Sequence, residues 1–441
     1  MGQFQAKRVN NGLKGQVDNL PADKSISHRS VILLSLANGC AQISNLLEGE
    51  DVLATIAAMK KMGVGIEKLE NGNWQIKGSG LYGLMEPNSV LDMGNSGTAC
   101  RLLMGLVAGY DFKATFCGDE SLSKRPMQRV IKPIEEFGGK VLAKEGGKLP
   151  LTVVGCDENI GIYYEMDVAS AQVKSCILLA AMNSFGRTII IENAPCRDHT
   201  ELMMKYLGLD VEIEIEDDGK KTIGFVGSQE FDAKDIDVVG DISSAAFLIV
   251  AALIVKDSDI LIKNVGINPL RDGIVTTLIE MNADIKLINE REVCGEKCAD
   301  IRVKYSKLKA IKTDKTRAPL MIDEYPILFI AASQADGVSR FEGLEELRVK
   351  ESDRLQVMAD GLRRCGFDIK DGDDYLQITG DSSNFDGDVN IKVEHDHRIA
   401  MSFLVFGMVF KGNIIIDDDE MIKTSFPNFF DIWFNIGFQF N

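Results

Sequence analysis

Histidine is scarce in this chain, with four among 441 residues. Cysteine is present but unpatterned: nine residues, an odd number, are scattered without a repeating framework. That excludes a disulfide scaffold and suits a reducing compartment. Cys294 and Cys298 lie close together, yet no second pair and no nearby His completes a zinc site. Neither a metal nor a cofactor is expected. No apolar run reaches the roughly 20 residues that span a bilayer, and the stretch from Phe247 to Val255 suits a buried helix. The opening Met1-Gly2-Gln3-Phe4-Gln5-Ala6-Lys7-Arg8 has no apolar core of signal-peptide length, so a cytoplasmic location and no membrane partner are expected. Positive charge is in deficit: 49 Lys and Arg against 66 Asp and Glu give a net −17. This argues against nucleic acid as a partner, because phosphate contacts need a basic face. It also makes any local group of cations informative, since a chain that repels anions overall must concentrate Lys and Arg wherever it binds one.

What the chain does have is internal repetition. At 441 residues it exceeds the usual limit of a single core, so two domains are the natural expectation. One pattern recurs six times: a turn, small polar residues, then about ten apolar residues at helical spacing. The copies run Asp23-Lys24-Ser25 to Ala37, Gly94-Asn95-Ser96-Gly97-Thr98 to Val107, and Val168-Ala169-Ser170-Ala171-Gln172 to Ala181. They continue with Gly240-Asp241-Ile242-Ser243-Ser244 to Leu253, Ile322-Asp323-Glu324-Tyr325 to Ala332, and His395-Asp396-His397-Arg398 to Phe410. Successive copies start about 70 to 80 residues apart, the length of one supersecondary unit with extra strands.

Between the copies lie short β-branched runs, including Thr188–Ile191, Asp259–Ile262, Asp388–Val393 and Asn413–Ile416, which read as strands. Further amphipathic helices are expected at Asp51–Met62, Arg129–Phe137, Glu201–Leu207, Arg271–Met281 and Ser352–Cys365. Each repeat is then strand, helix, strand, helix, strand, strand, an α/β fold of six βαβαββ units, three per domain. Asp18–Pro21 and Val238–Asp241 become the crossings between domains. One domain takes residues 22–240; the other takes 1–21 plus 241–441. Three buried helices side by side would aim three N-termini toward one end of each domain, and two such ends facing each other would enclose a cleft of positive potential.

Backbone N–H groups left unpaired at a helix start favour an anion, and the polar residues at these starts would strengthen it. Copy one carries Lys24, Ser25 and Arg29; copy two carries Asn95, Ser96, Gly97 and Thr98, with Arg101 a turn later; the loop Ser121-Leu122-Ser123-Lys124-Arg125-Pro126 lies nearby. Copy three supplies Ser170 and Gln172, followed by Lys174; copy five supplies Asp323 and Glu324; then come Arg348 to Arg354, and copy six adds His397 and Arg398. Gly and hydroxyl positions let backbone approach a ligand, and Arg forks match phosphate and carboxylate. The two carboxylates of copy five, set among cations, are candidates for proton transfer. Plainer readings stand beside these: a solvated face for any single Arg, an N-cap for Asp323, and a packed imidazole for His397. They leave unexplained why the polar exceptions recur at the same place in each copy.

Five motifs in order carry a family resemblance: Asp23-Lys24-Ser25-Ile26-Ser27-His28-Arg29, Gly94-Asn95-Ser96-Gly97-Thr98, Ser123-Lys124-Arg125-Pro126-Met127, Arg348-Val349-Lys350-Glu351-Ser352-Asp353-Arg354-Leu355 and Asp396-His397-Arg398-Ile399-Ala400-Met401. With them the chain resembles the 5-enolpyruvylshikimate-3-phosphate synthases over nearly its whole length. Gly118 to Met127 and Ile322-Asp323-Glu324-Tyr325-Pro326 resemble the bacterial branch called class II. The resemblance implies the two-domain inside-out α/β barrel of enolpyruvyl transferases. It also implies transfer of the enolpyruvyl group of phosphoenolpyruvate to the 5-hydroxyl of shikimate 3-phosphate, a step toward chorismate and the aromatic amino acids. The reaction would pass through a tetrahedral addition intermediate, without metal or cofactor.

By the same resemblance, Lys24, Ser25, Arg29, Ser170, Ala171, Gln172, Arg197, Asp323 and Lys350 would hold shikimate 3-phosphate. Lys24, Gly97, Arg125, Gln172, Arg354 and Arg398 would surround phosphoenolpyruvate. Asp323 would take the 5-hydroxyl proton, with Glu351 and Lys24 handling protons at the methylene carbon and leaving group. Gly97 stands where a methyl group reduces glyphosate binding, so sensitivity to glyphosate is implied, and a monomer is what the family suggests. Many relatives place a Lys two residues before the Phe-Pro near the C-terminus; here Lys423 is one place further out, and it stays outside the site. Two rivals remain. The sister transferase acting on UDP-N-acetylglucosamine carries a Cys about five residues before the loop Arg-Pro, where this chain has Glu120 and Cys117 is out of register. A non-enzymatic anion-binding scaffold is the other.

Overall fold

The six repeated segments are six helices in the computed structural model, which describes residues 4–6, 8, 9, 11–156, 158–216, 219–381, 383, 385–438 and 440. They span Lys24–Leu36, Gly97–Ala108, Ala171–Ala181, Ile242–Ile254, Tyr325–Ser333 and His397–Gly407. Five start with a side chain that accepts a backbone N–H: Asp23 from Ile26, Ser96 from Ala99, Ser170 from Val173, Asp241 from Ser243 and Asp396 from Arg398. Such caps replace the hydrogen bonds that the first turn cannot make internally. The helix Tyr325–Ser333 starts differently: its N-cap is Glu324 without a side-chain bond, and Pro326 stands in its first turn. Asp323 is therefore not a helix cap, and the plainer reading of it falls.

All thirteen residues of Ile242–Ile254 are buried. Apolar side chains all round are what a central helix requires, and each buried Leu, Ile or Phe contributes about 1.5–3 kcal/mol over its exposed state. The chain divides into two compact units, one of Ala22–Val238 with Val293–Glu296 and one of Met1–Pro21, Val239–Glu292 and Lys297–Asn441. Among the described residues no helix is long and apolar enough to cross a membrane.

Among the described residues each unit holds three small sheets. The sheet Leu91–Asp92, Lys113–Cys117, Lys148–Val154, Lys140–Lys144 shows the pattern, with its first pair parallel and the rest antiparallel. A parallel pair needs a crossover, and the Gly97–Ala108 helix supplies it. Strict βαβαββ order in the sequence fails at three places, where a strand comes from far along the chain. Ile236–Asp237 lies parallel to Ile43–Ser44 and opens the first repeat, and Lys14–Val17 lies parallel to Asp259–Ile262 and opens the fourth. The sixth sheet has three strands, with Phe4–Ala6 antiparallel to Ile414–Ile416 beside Val389–Ile391. Borrowed strands cover edges that would otherwise present unpaired backbone groups.

Two glycines set the spacing of the helices that carry the polar starts. A Cβ on Gly105 would lie 2.3 Å from the Cys176 carbonyl oxygen, and one on Gly361 would lie 2.2 Å from the Phe403 ring. The first permits the close approach of Gly97–Ala108 to Ala171–Ala181; the second does so for Arg354–Arg364 and His397–Gly407.

Candidate active site

In the 22–238 unit, the starts of three helices are tied by polar side chains. Gln172 accepts from Arg101 Nη1 at 2.9 Å and donates to Thr98 Oγ1 at 3.0 Å, joining the second and third starts. Arg29 joins the first to the third: Nη2 donates to Ser175 Oγ at 2.6 Å, Nε to Thr200 Oγ1 at 2.7 Å, and Nη1 to the Ser25 carbonyl at 2.9 Å. Burial brings the Arg29 guanidinium down to about 10, with Glu201 and Asp23 opposing the shift, and it stays charged at neutral pH. Arg125 Nη2 donates to Asn95 Oδ1 at 2.8 Å and Ser121 Oγ at 3.1 Å, which sets it beside the Gly97 start. Lys24 Nζ stands 2.9 Å from Asp51 Oδ2. Gly97, Thr98 and Gln172 thus meet around Arg101, and Arg125 stands beside them through Asn95. Arg29 reaches the third helix through Ser175, whose Oγ donates to the Ala171 carbonyl, and Ser170 caps that helix.

His28, inside the same turn, faces the core, with Nδ1 2.7 Å from Thr55 Oγ1. Burial takes its pKa down to about 3; Asp51 opposes that shift, and Lys24 and Arg29 reinforce it. The folded chain therefore holds His28 neutral while the unfolded chain takes a proton below its ordinary 6.5. Its contribution to stability is full above about pH 6.5 and falls by up to about 1.4 kcal/mol per pH unit below that, toward pH 3. A His28→Asn variant should lose less of its melting temperature than the parent between about pH 7 and pH 5. Equal slopes in the two proteins would show that His28 does not resist protonation.

In the 239–441 unit, the cations meet carboxylates. Arg354 is 1% exposed, with Nε 2.7 Å from Asp396 Oδ2, Nη2 2.5 Å from Glu351 Oε2 and Nη1 3.3 Å from Asp323 Oδ1. Burial would lower its pKa, but Asp396, Glu351 and Asp323 in turn outweigh that and hold it above the usual range. Lys350 Nζ is 3.4 Å from the same Asp323 oxygen. Arg398 Nη1 donates to the Asp323 carbonyl at 2.9 Å, while its backbone N–H is received by Asp396. Asp323, Lys350, Glu351, Arg354 and Arg398, separated by up to 75 residues, form one cluster.

Two residues depart from the sequence reading. Glu324, grouped there with Asp323 for proton transfer, is buried: it accepts from Ser243 Oγ and lies 3.6 Å from Arg398 and 3.9 Å from Arg271. It props the cluster from beneath. Lys174, grouped with the helix-start cations, is wholly buried against Glu192 and Glu201. The sequence reading also missed Asp51, Thr200 and Ser175. Thr200 follows Arg197 by three residues, and that adjacency was the only signal.

Among the described residues no group of three or more metal-ligating side chains occurs. Burial, then Asp92, pushes the Cys117 thiol up, the opposite of an activated cysteine.

The family described as EPSP synthase (3-phosphoshikimate 1-carboxyvinyltransferase) matches residues 8–433 of the chain. Over 432 residues the chain is 50% identical to the 3-phosphoshikimate 1-carboxyvinyltransferase of Zymomonas mobilis, covering 97% of this chain and 95% of that protein. With the protein of the same name from Paramagnetospirillum magneticum it shares 49% over 418 residues, covering 95% and 94%. Among solved structures, EPSP synthase from Acinetobacter baumannii is similar with a TM-score of 0.89 at 43% identity, covering 100% of this chain and 99% of that one. The enolpyruvyl transferase NikO from Streptomyces tendae, at 13% identity and a TM-score of 0.76 over 100% and 98% of the two chains, shares the fold.

Proposed function

The chain belongs to the EPSP synthase family, and from that premise we propose that its two groups of polar side chains serve one reaction. That reaction is transfer of the enolpyruvyl group of phosphoenolpyruvate to the 5-hydroxyl of shikimate 3-phosphate, with release of phosphate. The observation that carries the assignment of roles is the Asp323 carboxylate, held 3.3–3.4 Å from Arg354 and Lys350. A carboxylate set among the cations assigned to the two substrates can accept a proton from the hydroxyl of one of them.

Asp323 takes the 5-hydroxyl proton as that oxygen bonds to C2 of phosphoenolpyruvate, and C3 gains a proton to give the tetrahedral adduct. Loss of the C3 proton and cleavage of the C2–O bond to phosphate then give the product. Glu351 and Lys24 are the groups assigned to the C3 proton and the leaving phosphate. Each phosphate carries about −1.5 to −2, and each substrate adds a carboxylate. The two units differ in a way that supports a division of labour. In the first unit Arg29, Arg101 and Arg125 hydrogen-bond neutral groups in the contacts above, and Lys24 faces a carboxylate, Asp51, at 2.9 Å. In the second, Lys350 and Arg354 face carboxylates at 2.5–3.4 Å and Arg398 lies 3.6 Å from Glu324. A surface rich in cations and hydroxyls suits phosphate neutralisation, assigned to Lys24, Ser25, Arg29, Ser170, Ala171, Gln172 and Arg197 for shikimate 3-phosphate and to Gly97, Arg125 and Gln172 for phosphoenolpyruvate. Mixed charge suits proton transfer and the remaining contacts, assigned to Asp323, Lys350, Glu351, Arg354 and Arg398.

A coupled phosphate-release assay tests the reading: turnover is expected with shikimate 3-phosphate and none with UDP-N-acetylglucosamine. The reverse result would sink it. The same reading makes the protein a cytoplasmic monomer; sedimentation of the purified protein checks the monomer, and cell fractionation the compartment.

Gly97 bears on the phosphoenolpyruvate pocket. A Cβ there would lie 2.8 Å from Arg101 Nη1, the atom that holds Gln172. The far end of the Arg101 side chain can give way, at the expense of its bond to Gln172, so Gly97→Ala should leave stability nearly unchanged and raise KM for phosphoenolpyruvate. Glyphosate should inhibit the parent more strongly than this variant; millimolar tolerance in the parent would overturn that expectation.

A further inference from the structure

Lys174 sits at the first turn of Ala171–Ala181, yet its ammonium turns inward and is 0% exposed. Nζ lies 2.7 Å from Glu192 Oε2 and 2.9 Å from Glu201 Oε1, and it donates to the Cys196 carbonyl oxygen at 3.3 Å. Glu192 Oε1 in turn accepts from the Cys196 N–H at 2.6 Å. Both main-chain polar groups of Cys196 are thus held by one buried ion pair, and the next residue is Arg197. Lys221 Nζ, 3.4 Å from Glu201, brings a second cation, so the four charges balance. Burial would lower the Lys174 pKa, but Glu201 and Glu192 outweigh it and hold the ammonium above the usual lysine range. The Lys174 ammonium stays charged at any working pH.

Removing such charges from water costs several kcal/mol per ion, and apolar packing of the same volume often holds a fold as well. What a satisfied buried network adds is fixed geometry. Residues 193–198 lie in neither helix nor strand, so no backbone ladder places them. Further on, the chain enters His199–Leu207 with three consecutive buried ties: His199 Nδ1 to Glu296 at 2.6 Å, Thr200 Oγ1 to Arg29 at 2.7 Å, and Glu201 to Lys174. The loop is clamped at both of its ends by polar contacts that reach the helix carrying Ser170, Ala171 and Gln172 or the turn carrying Arg29.

We infer that Lys174 and Glu192 are positioning residues, which fix the 193–198 loop so that Arg197 is pre-set for the phosphate of shikimate 3-phosphate. This rests on the assignment of Arg197 given above. Pre-setting a guanidinium lowers the ordering cost of binding one anion and leaves the other substrate untouched.

The double variant Lys174→Met/Glu192→Met removes both ties on Cys196 while leaving Glu201 paired with Lys221. Calorimetric titration with shikimate 3-phosphate should show affinity reduced about tenfold or more, with KM for phosphoenolpyruvate changed less than about threefold. Glu192→Ala, which removes the acceptor of the Cys196 N–H and one of the two carboxylates facing Lys174, is the second variant, with a loss of about threefold or more expected in the same direction. In an Arg197→Met background neither set of changes should weaken binding further, because both act through that side chain. An Arg197→Met protein that binds like the parent would overturn the assignment of Arg197 and this inference together. A loss seen for Arg197→Met, absent from the folded Lys174 and Glu192 variants, or fully additive with theirs, would overturn the inference alone.

Discussion

Asp323→Asn lowers kcat by about 10²- to 10⁴-fold, the usual share of a general base, while KM for shikimate 3-phosphate moves by no more than about threefold. Asn keeps the size of the side chain and a carbonyl oxygen for Lys350 and Arg354, 3.4 and 3.3 Å from the present carboxylate. It cannot take a proton. The change leaves Arg354 on Asp396 and Glu351, so the cluster keeps its main ion pairs. A residue that merely capped a helix would show the opposite signature, a lower melting temperature with intact turnover, but the cap position belongs to Glu324. Rapid-quench measurement should find the addition step slowed by the same factor as kcat, because the proton leaves the 5-hydroxyl as that oxygen attacks. Unchanged kcat would remove Asp323 from the chemistry.

The helices were legible because they carry apolar residues over more than one turn. Asp51–Met62, Arg129–Phe137 and Arg271–Met281 appear as Glu50–Lys61, Gln128–Glu136 and Gly273–Glu280, shifted by one or two residues at the ends. Asp388–Val393 shrinks to Val389–Ile391, since its partner Ile414–Ile416 offers three residues to pair with. Borrowed strands were less legible. Ile236–Asp237 is two residues long, too short for any period, and its partners in Cys40–Ser44 stand 193 residues away. Pairing at that range leaves no local trace in the chain.

The site divides in the same way. Residues at helix starts could be found because the repeat marks the positions, and the structure gathers Asp323, Lys350, Glu351, Arg354 and Arg398 as one cluster. Direction could not be read. Lys174 and Gln172 share a first turn, yet one turns to Glu192 and the other to Thr98 and Arg101. Asp323 and Glu324 are adjacent, yet the first meets Lys350 while the second is sealed beside Ser243. Charge alone does not say which way a side chain points; packing around it does.

Arg354→Met should cost about 3–5 kcal/mol of stability, the penalty for breaking a buried ion pair by removing one partner. Three carboxylates lean on this guanidinium, and Asp396 among them is 0% exposed. Met fills much of the volume but leaves Asp396, Glu351 and Asp323 facing one another without their shared cation. Phosphoenolpyruvate binding should fall as well, because the assigned contact is gone and repulsion disperses the cluster. The two effects separate in Arg354→Met/Asp396→Asn. The amide that replaces the Asp396 carboxylate still offers an oxygen to the Arg398 N–H, which Asp396 now accepts at 2.9 Å. The deepest uncompensated charge would be gone, so most of the lost stability should return. Affinity for phosphoenolpyruvate should not return with it. Urea denaturation and calorimetric titration of the parent and both variants give the two quantities. A double variant that regains binding along with stability would show that Arg354 serves the fold and does not touch the substrate.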